Sequence, residues 1–120
     1  MISVQVLVDK INSFECDQEV ADFLISQHIK GDRTSASRCV ISNWIAREAE
    51  EPYVTTSDKI KVWFWEGMSR TIRESYELNE ALSKFVYNFD SGHYPELDSG
   101  EPSRIGTTYS NSTTLKKGRK

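Results

Sequence analysis

The sequence predicts an α+β fold in one small domain: three helices, a β-hairpin and a fourth helix, followed by a disordered C-terminal tail. Three observations predict it. Apolar residues recur at helical spacing in four separate stretches, one stretch between Asp58 and Gly67 alternates with the period of a pleated strand, and the composition shifts to Ser, Thr and Gly from residue 98 onward. A chain of 120 residues, 38% hydrophobic and 28% charged, encloses one core and not two, because surface grows too fast relative to volume in smaller units. Residues 1–97 are therefore read as the domain and residues 98–120 as the tail.

Val4, Leu7, Val8, Ile11 and Phe14 lie on one helical face behind Ser3, a natural N-cap, although Ile2, Val4, Val6 and Val8 also alternate. Helix is preferred here. Asp17 is expected to cap a second helix with inner stripe Val20, Phe23, Leu24 and His28, and Gly31 to end it. A third helix is expected from about Ser35, its apolar face formed by Ala36, Val40, Ile41, Trp44 and Ile45, with Pro52 preventing continuation. In the strand, Ile60, Val62 and Phe64 face one way, and Lys61, Trp63 and Trp65 the other. Gly67 marks a turn, and Thr71 to Tyr76 form the returning strand. Leu78, Leu82, Phe85, Val86 and Phe89 then trace a helix capped by Asn79 and stopped by Gly92 and Pro95.

The tail holds few large apolar groups, namely Ile105, Tyr109 and Leu115, too few to offset the entropy of ordering it. It carries five bases against two acids, so the net charge of −3 divides into +3 for the tail and −6 for the body. An acidic body repels phosphate backbones at long range, which disfavours general nucleic-acid affinity. No apolar stretch approaches the ~20 residues that span a bilayer, and the first residues lack the pattern of a signal peptide. A cytoplasmic location, with Cys16 and Cys39 as reduced thiols, is expected.

Four groups of residues carry chemistry worth weighing. Residues 18–48, two amphipathic helices with Gly31 in the joint, are compatible with a helix-turn-helix placing Arg33, Ser35, Ser37, Arg38 and Asn43 on DNA; the acidic body and the length of the joint favour a plain helical hairpin. The same joint offers Lys30, Arg33 and Arg38, with the Thr34, Ser35 and Ser37 hydroxyls, to an anion at a helix start, yet it lacks the Gly-x-x-x-x-Gly-Lys pattern that cradles a nucleotide. Trp63 and Trp65 share a strand face rimmed by Lys61; if helices cover only the opposite face, they are presented to a partner, and if both faces are covered they are core. Asp90, His93 and Glu96, with Cys39 if the fold brings it near, contain carboxylate, imidazole and thiol, but His93 has no second histidine at ligand spacing and is explained by its place after a helix end.

Val20-Ala21-Asp22-Phe23-Leu24, Ile29-Lys30-Gly31, Cys39 in the next helix and the segment Phe89-Asp90-Ser91-Gly92-His93-Tyr94-Pro95-Glu96-Leu97 occur in an order that resembles small proteins of actinobacteria and their phages. The chain departs from that pattern where Val40, not Pro, follows Cys39. The resemblance implies a shared compact fold and a phage or mobile-element context; it supplies no activity and no site residues. The resulting expectation is a small non-enzymatic accessory or regulatory protein without cofactor or metal. It would bind a host or phage protein through Trp63, Trp65 and Lys61, the alternative being a DNA-binding regulator that uses residues 18–48.

Overall fold

The computed structural model describes residues 2–99; the tail expected from 98 lies, from residue 100 on, outside the described residues. The elements run α1 (Val4–Ile11), α2 (Asp17–Ser26), α3 (Val40–Ala49), β1 (Val54–Thr56), β2 (Lys59–Glu66), β3 (Ser69–Glu77) and α4 (Glu80–Asp90), then a 3-10 turn at Pro95–Leu97. The fold is α+β, as the periodicities predict, with one strand more than expected. The antiparallel sheet has the order β1-β2-β3. Helices lie on one of its faces.

The starts of α1 and α4 follow the sequence closely, although α1 stops at Ile11 and leaves Phe14 beyond it. Ser3 Oγ accepts the Val6 amide at 3.3 Å, and Val4, Leu7, Val8 and Ile11 are buried. Asn79 Oδ1 accepts the Leu82 amide at 2.8 Å, while its own amide groups bond Asn12 Oδ1 and the Asn12 carbonyl. One asparagine thus starts α4 and fastens it to the end of α1. Phe85 and Phe89 fall on the buried face of α4, where Phe85 stacks on Phe89 and on Tyr94.

Several boundaries differ from expectation, each for a local reason. Asp17 is the first residue of α2 and not its cap; Cys16 occupies the cap position without a side-chain bond. The helix ends before His28, which adopts a left-handed φ of 56° and is exposed, off the inner stripe. Gly31 stops nothing. Its N–H donates to the Leu97 carbonyl and its carbonyl accepts the Ser99 amide, both at 2.9 Å, forming a parallel bridge with Asp98. Asp98 and Ser99 therefore belong to the folded body, two residues past the boundary drawn at 97.

Helix α3 begins at Val40, five residues later than expected, and Ala36 is exposed in the preceding turns. An earlier start needs the Ala36 carbonyl for the Val40 amide. That carbonyl instead accepts the Thr56 amide at 3.0 Å and the Ser42 hydroxyl at 2.7 Å, tying the joint to β1. Ser42 also bonds Thr56 Oγ1 at 2.8 Å, so this buried polar pair is satisfied.

Val54, Ile60 and Val62 carry the sheet's inner face into the core beside α3. Between Val62 and Trp63 the β2–β3 register slips: Val62 pairs with Glu74 but Trp63 with Ile72, leaving Arg73 as an extra residue. Beyond this bulge the hairpin runs past the core.

The carboxylate released from capping joins another contact. Tyr94 Oη and Asn88 Nδ2 both donate to Asp17 Oδ2, linking the start of α2 to the end of α4. The Tyr94 hydroxyl foremost, then the Asn88 amide, hold the Asp17 carboxyl below its ordinary value, while burial and then the Asp17 carboxylate push the Tyr94 phenol up to about 12. A depressed carboxyl stabilises the fold above its unfolded value of 3.8, and that contribution disappears as pH falls through the folded value. A raised phenol works oppositely: its contribution is complete below its ordinary value of 10.0 and is lost as pH rises towards about 12. Tyr94→Phe is expected to cost about 1 kcal/mol at neutral pH and to lose less than the wild type on acidification. Urea midpoints between about pH 2 and pH 7 test this; parallel pH profiles for the two proteins would contradict it.

Candidate functional site

The two-residue turn at Gly67 and Met68 sets the geometry of the projecting hairpin. Gly67 has φ 64° and Met68 does not share the left-handed region, the arrangement of a type II′ turn with Gly first. The register then places Trp65 opposite Arg70 and Trp63 opposite Ile72. Because β1 pairs Thr55 with Lys61, and the Trp63 amide donates to the Tyr53 carbonyl at 2.9 Å, Tyr53 joins the same outer face.

The outer face is an aromatic row with cations on it. Trp63 is half-buried: its Nε1–H donates to Thr55 Oγ1 at 2.9 Å, and the Arg70 guanidinium lies 4.2 Å from its ring centroid, with Lys61 Nζ at 5.9 Å. Trp65 is 52% exposed and meets Tyr53, 46% exposed, edge to face at 6.2 Å. Ile72 is exposed beside them, Phe64 on the reverse face is exposed two residues beyond the buried Val62, and Met68 at the tip is 95% exposed. Burying one such side chain is worth about 1.5–3 kcal/mol, none of which the isolated chain gains at Met68.

Trp63, Trp65 and Lys61 are thus gathered on one open sheet face. Trp65 is the more exposed ring, and Trp63 is half-buried against Thr55 and Arg70. Tyr53, Arg70 and Met68 are additions to the site. Tyr53 escaped notice because β1 is only three residues long, and Arg70 because its place over an indole depends on the cross-strand register.

Residues of the joint are differently disposed. Arg33 Nε pairs with Asp98 at 3.0 Å and Arg38 with Asp32 at 3.5 Å, and the Thr34 amide donates to Asp90 Oδ1 at 2.9 Å. Their positive groups are directed at the protein's own carboxylates, and Asp90 puts negative charge where an anion would sit. Lys30 and Ser37 are exposed, while Ser35 is half-buried on a cavity of about 270 Å³ shared with Thr34, Cys39 and Asp90. Helix α3 is enclosed on nearly every side, with Arg47 its one exposed residue, and Asn43 is spent on the Lys30 and Arg38 carbonyls. A recognition helix needs an open face to enter a groove. α3 has none.

Cys39 and Asp90 do share that cavity, but burial, reinforced by Asp90, pushes the Cys39 thiol up to about 12, the reverse of an activated nucleophile. His93 is exposed, its Nδ1 directed to the Asn88 carbonyl at 3.3 Å, and Glu96 is exposed on the 3-10 turn. Among the described residues no group of three or more His, Cys, Asp or Glu side chains is placed to hold a metal ion, and no helix is long and apolar enough to cross a membrane. Comparison with protein families, curated proteins and solved structures finds no match.

Proposed function

We propose that this chain is a small non-enzymatic accessory or regulatory protein that acts in a phage or mobile-element setting by binding another protein through the β2–β3 hairpin. The observation that carries this reading is the projection of Trp65, with Tyr53, Ile72, Phe64 and Met68, beyond the end of the core. Aromatic side chains held on a strand make good interface anchors, since they bring large contact area with few rotors to immobilise. Trp65 meets that description. Its removal leaves the body intact, because its ring packs on exposed Tyr53 and not on the buried cluster.

Trp65→Ala is expected to lower capture of the partner from a lysate by roughly tenfold or more while shifting the melting temperature by no more than a few degrees. Undiminished capture by a folded Trp65→Ala protein would refute the assignment.

A further inference from the structure

We infer that the partner segment recognised by the hairpin is an extended, acidic stretch of polypeptide carrying apolar side chains, laid across the outer sheet face; this rests on the protein-binding reading above. The charges on that face decide it. Lys59 is neutralised by Glu77 at 2.5 Å and Arg73 by Glu51 at 2.5 Å. Lys61 and Arg70 form no salt bridge among the described residues, Lys61 acting on Asp58 only at longer range, and both lie over the Trp63 ring in the middle of the aromatic row. A body that carries −7 once Asp98 is counted with it therefore presents two cations outside any salt bridge together, bordered by Trp65, Tyr53 and Ile72.

An acid on the incoming segment fits between Lys61 and Arg70, and its apolar neighbours fit against Trp65 and Ile72, since side chains two apart on an extended segment share a face. A single-stranded nucleic acid would answer the same charges but not the same geometry. Its bases need free, stepwise parallel rings. Here the Trp63 face is covered by Arg70, Tyr53 and Trp65 stand at 78° to each other, and the surrounding body is acidic.

The test is selection of random displayed peptides, about twelve residues long, on the full chain and on its Lys61→Glu/Arg70→Glu variant, with Lys61→Gln/Arg70→Gln as the milder pair if the reversal impairs folding. Wild-type binders should be enriched in Asp and Glu alternating with apolar residues. The best of them, synthesised, should bind the reversed variant at least roughly tenfold more weakly and the neutral variant several-fold more weakly, with affinity falling as salt rises. Selection without acidic enrichment, or acidic binders that hold equally to the charge-altered chains and so report on the basic tail, would overturn the inference. Tighter binding of an oligo-dT strand than of any selected peptide, lost on charge reversal, would reassign the face to nucleic acid. If Trp65→Ala abolishes partner capture while the charge variants capture normally, the hairpin remains the binding site and only its acidic specificity fails.

Discussion

Gly31→Ala is expected to bring the domain close to unfolding, with a loss of about 3–5 kcal/mol against a total stability of about 5–15 kcal/mol for a domain of this size. The reason is space and not backbone freedom. A Cβ at position 31 would stand 2.2 Å from the Val40 nitrogen, 2.5 Å from its Cα and 2.7 Å from the Arg38 carbonyl oxygen, all backbone atoms that no rotamer change can move aside. Retreat of residue 31 is opposed from the other side by its two bonds to Leu97 and Ser99. The strain must displace either the start of α3 or the C-terminal strap. Urea denaturation followed by circular dichroism measures the effect. A loss below about 1 kcal/mol would mean the joint re-seats more easily than its bonding implies.

Phe85→Ala should cost a similar amount, about 3–5 kcal/mol, by a different route. Phe85 is fully buried, its ring 6.0 Å from Phe89 at 12° and 5.3 Å from Tyr94 at 22°. Truncation removes the burial energy, leaves a void bounded by helices that close only partly, and deprives both neighbouring rings of a stacked partner. Because Tyr94 also holds Asp17, the variant should additionally lose part of the pH dependence assigned to that contact. Phe85→Leu, which keeps much of the volume, should fall well short of the Ala variant. Equal losses for the two substitutions, read as urea midpoints, would show that the aromatic stack and not the filled volume is what matters.

What the residues disclosed and what they concealed divide along a physical line. Local signals were legible: Ser3 and Asn79 as caps, the stripes of α1 and α4, the alternation around Trp63 and the turn at Gly67 act over a few neighbouring residues. The missed features depend on partners far away in the chain. The late start of α3 is decided by Thr56 taking the Ala36 carbonyl, and the role of Gly31 by the close approach of Val40 and the return of Leu97. His28 and Thr34 enter the left-handed region, with φ values of 56° and 59°, where composition favours Gly or Asn. Gly31 was available to end α2 and was used for its missing side chain instead. At the candidate site, a two-residue turn makes Trp65 opposite Arg70 foreseeable, but the extra residue at Arg73 leaves no mark in the alternation, and Tyr53 became visible only with β1.

That extra residue also divides the hairpin into parts of unequal persistence. Below the mismatch, Ile60 and Val62 are locked into the same cooperative unit as the helices, and their backbone opens only when the domain unfolds. Above it, the ribbon from Trp63 to Ile72 lies outside the buried cluster and is tied back through the Trp63 bonds to Tyr53 and Thr55 and the contact of Trp65 with Tyr53, so its local opening is expected to leave the core untouched. The exposed aromatic row thus lies on the segment whose reshaping costs the rest of the domain least.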